Sequence, residues 1–138
     1  MRPNTLAEAV ARIQAGQSHE IALAEFVDTF DLAASDDDRY AAIEQEPDLT
    51  GDARLDALVG GIAEYLAKQR RLGRVPPWAG GSARRLPEPW FTTSSTSPAM
   101  REYLTFASPG EFASRNIFTD ERPLRRPHGR PATRTPAE

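Results

Sequence analysis

Imidazole, thiolate and carboxylate build most catalytic and metal sites, and this 138-residue chain is nearly without the first two. It has no cysteine, which excludes a thiolate nucleophile, thiolate metal ligation and a disulfide framework. The two histidines, His19 and His128, have no nucleophile at a telling position, so triad chemistry is not expected. Carboxylates are plentiful. Asp36-Asp37-Asp38 lacks the spaced oxygens, turn glycine and closing glutamate of an EF-hand, and behind Ser35 it reads as the first turn of a helix. Glu20, Glu25, Asp28 and Asp31 fall at the edge of an amphipathic helix and read as a solvated face. Gly80-Gly81-Ser82 has neither the following Lys-Ser/Thr nor the strand-to-helix setting of a phosphate loop. No catalytic residue, metal site or cofactor is therefore expected.

The elements around these residues are helical. Prolines fall at Pro3 and Pro47 and then ten times after position 75, and charge divides at the same place. Residues 1–75 hold 14 acids against 8 bases, and the remainder 6 against 9, so the halves carry −6 and +3. Leu6, Val10 and Ile13 recur at helical spacing behind Thr5, with Glu8 completing a capping box and Gly16 a stop. Ser18 caps a second helix expected to run to about Ala34, with Ile21, Ala24, Val27 and Phe30 as its stripe and Leu23 and Phe26 beside it. Ser35 opens a third helix that Pro47 closes.

A fourth helix, over roughly residues 52–72, presents Leu55, Leu58, Val59, Ile62, Tyr65 and Leu66 to a core, leaving Arg54, Asp56, Glu64 and Lys68 to water. Gly60-Gly61 in its middle costs about 2 kcal/mol of helix propensity, which predicts close helix approach or a bend. Beyond Val75 the prolines predict ordered loop, and no β pattern is evident. Ser97-Pro98 and Ser108-Pro109-Gly110-Glu111 each read as the cap of a short helix. From Arg122 onward, five arginines and four prolines accompany a single aliphatic larger than alanine, which predicts a disordered basic tail. The expected fold is all-α: a four-helix core over residues 1–75, a proline- and aromatic-rich arm over 76–121 with two short helices, and a tail over 122–138.

Seven aromatic residues, Trp78, Trp90, Phe91, Tyr103, Phe106, Phe112 and Phe118, crowd into this arm. They serve either to stitch the arm onto the helical body or to anchor a partner, since aromatics beside arginine dominate interface hot spots. The candidate contact residues are Trp78, Arg84, Arg85, Trp90 and Phe91, with Arg84 and Arg85 at the rim and Arg125 and Arg126 of the tail as an electrostatic supplement.

The segments Glu46-Pro-Asp-Leu-Thr-Gly-Asp-Ala-Arg-Leu-Asp-Ala-Leu58, Ala63-Glu-Tyr-Leu-Ala67 and Pro76-Pro-Trp78 carry a further signal. So do Pro89-Trp-Phe91, Met100-Arg-Glu-Tyr-Leu104, Ser108-Pro-Gly-Glu-Phe112 and Arg115-Asn-Ile-Phe118. Together, over roughly residues 40–120, they resemble the C-terminal module of small bacterial regulator-like proteins encoded beside nucleotidyltransferase-type toxins. Some of those proteins carry an added N-terminal helix-turn-helix, which the first 40 residues here do not reproduce in full. The resemblance implies an antitoxin-like role, in which a non-catalytic protein binds and restrains a cognate toxin.

The expected function is thus neutralisation of a partner toxin by an arm laid over its surface, blocking a phosphate-binding cleft. The alternative is a DNA-binding transcriptional regulator whose helices or basic tail contact DNA directly, with DNA reached through the partner as a further expectation. Against it, the acids of the second helix would repel phosphates. No run of eighteen apolar residues and no basic-then-apolar leader is present, so a cytoplasmic protein without a membrane partner is expected.

Overall fold

The computed structural model describes residues 2–93, 97–120 and 124. It is mostly helical, as expected. Helices α1 (Leu6–Gln14), α2 (His19–Asp31), α3 (Asp36–Glu44) and α4 (Ala53–Gln69) come first. Two 3₁₀ turns, Pro77–Gly80 and Ser82–Arg84, lead to strand β1 (Trp90–Phe91), then α5 (Pro98–Ala107), α6 (Gly110–Ala113) and β2 (Ile117–Phe118). No described helix is long and apolar enough to cross a membrane.

Local capping explains most helix starts. Thr5 Oγ1 accepts from the Glu8 N–H at 3.0 Å, while Glu8 Oε1 accepts from the Asn4 N–H at 2.8 Å. Ser35 Oγ accepts from the Asp38 N–H, and Asp52 Oδ1 from the amides of Arg54 and Leu55. Between α1 and α2, Gly16 takes φ +115°, a conformation that side-chain-bearing residues resist.

Helix α2 stops at Asp31, short of the expected Ala34. Arg39 folds back from α3 and donates to the carbonyls of Phe30, Asp31 and Ala33, satisfying the helix end there. The buried stripe of α2 is also rotated from the expected one: Leu23, Phe26, Val27 and Phe30 are inside and Ile21 is exposed. Phe26 and Phe30 meet with ring centroids 6.3 Å apart, beside the buried Leu6, Val10 and Ile43.

Helix α4 is the central element. Val59, Ile62, Ala63 and Leu66 are buried, whereas Leu55, Leu58 and Tyr65 are covered only in part. Asp56, expected in water, is buried, because its Oδ1 accepts from both the N–H and the Oγ1 of Thr50 at 2.9 and 2.8 Å. The helix ends at Gln69, and Arg71 and Gly73 turn the chain away through positive φ.

The arm completes the core, and Ala79, Leu86, Phe112 and Ile117 join the same buried cluster as α1–α4. The expected boundary near residue 75 therefore separates elements that share one core. Gly60 and Gly61 make this possible. A Cβ at Gly60 would stand 2.8 Å from the Cβ of Arg84, and one at Gly61 would stand 2.8 Å from two ring carbons of Phe112. The close approach is thus to the second 3₁₀ turn and α6, with no helix of the body involved.

Two expectations in the arm need correction. Trp90–Phe91 and Ile117–Phe118 pair as a parallel two-residue ladder, Trp90 opposite Ile117. The Trp90 N–H donates to Asn116 O at 2.8 Å and the Thr92 N–H to Phe118 O at 3.0 Å. Ser108 does not cap α6, whose N-cap is Pro109 without a side-chain bond. It closes α5 instead, with Oγ in hydrogen-bond reach of Leu104 O and Thr119 O and accepting from the Thr119 N–H at 2.7 Å. The tail expected to be disordered lies outside the described residues except for Leu124, which is partly buried against the core.

Candidate functional site

The aromatic set of the arm divides into three grades of burial. Phe112 is fully buried beneath Tyr65, with ring centroids 5.5 Å apart. Trp78, Trp90, Phe91 and Phe118 are half-buried. The Trp78 indole N–H donates to Ile43 O at 3.0 Å, which ties the arm to α3. Phe91 stacks on Phe118 at 5.1 Å, and the guanidinium of Arg101 lies 4.9 Å from the Phe91 ring. Arg54 of α4 covers Trp90 in the same way at 5.2 Å.

The third grade is α5. At about 100° per residue, Phe106, Ala99, Tyr103, Ala107, Met100 and Leu104 follow one another around a single face. Exposure of the large side chains falls in the same order, from 82% at Phe106 through 48% at Tyr103 and 38% at Met100 to 4% at Leu104. The helix is thus pinned along one edge of its apolar face, and the rest of that face meets solvent. Arg101, Glu102 and Thr105 occupy the opposite side.

Among the proposed contact residues, Arg84 is displaced furthest from expectation. It was expected at the rim of a contact surface but is 1% exposed. Its guanidinium donates to Pro47 O at 2.7 Å, to Asp56 O at 3.3 Å and to Glu46 Oε2 at 3.3 Å, and it lies 4.9 Å from the Trp78 ring. Those carbonyls belong to the α3–α4 connection and the first turn of α4, so Arg84 is an internal clamp. Arg85 is exposed beside it. Trp78, Trp90 and Phe91 keep only partial access, and Arg125 and Arg126 lie outside the described residues.

A second clamp holds α6. Arg115, also buried, donates to Glu64 Oε1 and Glu111 O, both at 2.6 Å, and to Ala79 O. Lys68 reaches Glu64 Oε2 at 2.8 Å. Burial pushes the Glu64 carboxyl up, but the bonds from Lys68 and Arg115 outweigh it and hold the group below its ordinary range. The bond to Glu64 raises Lys68 in return.

Comparison with known proteins adds no relative: no family model, curated protein or solved structure matches the chain. The chemistry has to be read from the arrangement itself. No group of three His, Cys, Asp or Glu side chains stands close enough to hold a metal among the described residues. A shallow groove of about 310 Å³ between α1 and the segment after α3 contains Glu8, Glu46 and Asp48. Glu8 is held below its ordinary range by the Asn4 N–H and by Arg12, and Glu46 already bonds Arg84. The α2 surface carries Glu20, Glu25, Asp28 and Asp31 with no Lys or Arg in the helix, unlike a helix that approaches phosphates. What remains is an uncovered apolar helix face on an anchored arm, an arrangement suited to gripping another macromolecule.

Sequence reasoning set a short helix behind Ser97-Pro98 and counted Tyr103 and Phe106 among the aromatics of the arm, but left Met100, Tyr103 and Phe106 out of the contact set. The signal was available in outline. A ten-residue helix flanked by a Ser/Thr run and a proline turn has little nearby apolar surface with which to cover three large side chains.

Proposed function

We propose that this chain is a non-catalytic, antitoxin-like protein that binds and neutralises a partner protein, with a nucleotidyltransferase-type toxin as that partner. The observation that carries the reading is the graded exposure of the α5 face, which ends in Phe106 almost entirely in solvent. Aromatic side chains displayed on a rigid element are the usual anchors of protein interfaces. The anchor therefore moves from Trp78 and Arg84, which hold the arm to the body, to Met100, Tyr103 and Phe106. Phe91, Trp90 and Arg85 border the contact.

The test is co-expression of the full chain with the product of the adjacent open reading frame. The reading expects the two to co-elute and the chain to relieve any growth arrest caused by the neighbour. Separate elution together with unrelieved arrest would overturn it. A gel shift with operator-region DNA that weakens steeply with salt, in the absence of any protein partner, would favour the regulator reading instead.

A further inference from the structure

We infer that in the free protein the exposed face of α5 is covered by α5 of a second copy of this chain, in a reversible two-fold dimer. The inference needs only the face, and not the identity of any other partner.

The segments that flank α5 offer this face little apolar cover. The segment before α5, Thr92 to Ser97, is entirely Thr and Ser. After Phe118 the one aliphatic side chain larger than alanine is Leu124, and it is already packed against the core. A second copy of the chain presents the same open apolar face as cover.

The order of residues on the face suits such a pairing. Read from Tyr103 outward in both directions, the face runs Met100 then Ala99 on one side and Phe106 then Ala107 on the other. It is therefore nearly palindromic in size: small, large, Tyr, large, small. Such an order lets two copies meet about a two-fold axis with side chains of like size opposite one another. With two antiparallel helices crossing at Tyr103, Met100 of each copy faces Phe106 of the other, a favourable sulfur–aromatic contact, and alanines meet at both ends.

Charge favours this face over the exposed apolar residues of the α2 region. The polar side of α5 carries Arg101 and Glu102, which balance. Ile21 and Leu32, the exposed apolar residues of the α2 region, are interleaved with Glu20, Glu25, Asp28 and Asp31, so pairing two copies there would bring two sets of carboxylates together.

The contact is small. A ten-residue helix is about 15 Å long, and one such face falls short of the roughly 800 Å² per partner of a standard stable interface. The dimer is accordingly weak and displaceable. If the proposed function holds, self-association and partner binding compete for Phe106.

The full chain, which has no cysteine, allows a clean test. In sedimentation equilibrium from micromolar to millimolar concentration, wild type is expected to shift from monomer to dimer. Phe106→Asp is expected to weaken the dimer about tenfold or more while its circular-dichroism melt stays unchanged. Under mild oxidation Tyr103→Cys should cross-link to itself, and Leu32→Cys, at an equally open site, should not. A mixture of Met100→Cys and Phe106→Cys chains should cross-link to each other faster than either does to itself. A wild type that stays monomeric throughout, a dimer indifferent to Phe106→Asp, or equal cross-linking at positions 32 and 103 would overturn the inference.

Discussion

Nine of the 17 residues of α4 are buried, whereas α5 buries Leu104 alone out of ten. Both helices carry an apolar face, and both are capped at the start by a side chain, Asp52 in one and Ser97 in the other. The difference lies in what surrounds them. Helix α4 is approached closely by the arm, because Gly60 and Gly61 let Arg84 and Phe112 lie against its backbone. Helix α5 hangs at the far edge of that arm, fixed by Leu104, by Ser108 and by the Arg101–Phe91 contact. One chain thus carries an apolar helix face that its own core covers and another that stays open to solvent.

The sharpest way to break this contrast is to empty the arm's anchor. Phe112→Ala removes a fully buried ring from the Gly61 niche and should cost about 3–5 kcal/mol in urea denaturation. The equivalent truncation Phe106→Ala, at a side chain mostly in solvent, should fall within about 0.5 kcal/mol of wild type.

Gly61→Ala tests the same contact from the other side. A methyl group 2.8 Å from the Phe112 ring forces a shift, at a cost of about 1–3 kcal/mol, against a gain in helix propensity of up to about 1 kcal/mol. A net loss of stability is expected. Combining Gly61→Ala with Phe112→Leu should cost less than the sum of the single changes, and simple additivity would show that the two groups do not press on each other.

A smaller effect follows from the α6 clamp. Glu64 is held below its ordinary range, so its contribution to stability is present above the usual carboxylate range and is lost as pH falls through the lowered value. Lys68 is raised, so its contribution is present below the ordinary lysine range and is lost as pH climbs through the raised value. Between these limits the pair should add no pH dependence to the melting temperature, and outside them its contribution should be lost. Glu64→Gln should lower the level region and flatten the acid limb.

Much of the fold was legible because it is local. Thr5, Ser18, Ser35, Asp52 and Ser97 each act within three residues of the amides they cap. Features set by partners beyond the capping turn were not. Asp56 is buried through Thr50, the end of α2 depends on Arg39, and Trp90–Phe91 becomes a strand only against Ile117–Phe118, far along the chain. Arg84 and Arg85 show the limit most plainly. Adjacent and identical in type, one is an interior clamp bonded to Pro47 and Asp56 and the other faces water, and nothing in their immediate surroundings separates them. The proposed contact surface was partly legible for the same reason. Aromatic composition marked the arm, but which rings the body would cover depended on tertiary packing.

The most direct test of the arm as a gripping element is a calorimetric titration of the adjacent gene's product with wild type and with Phe106→Asp. A hot-spot anchor predicts a loss of at least about 2 kcal/mol, roughly thirtyfold in Kd, for the variant at unchanged melting temperature. Equal affinity for both proteins would contradict the account.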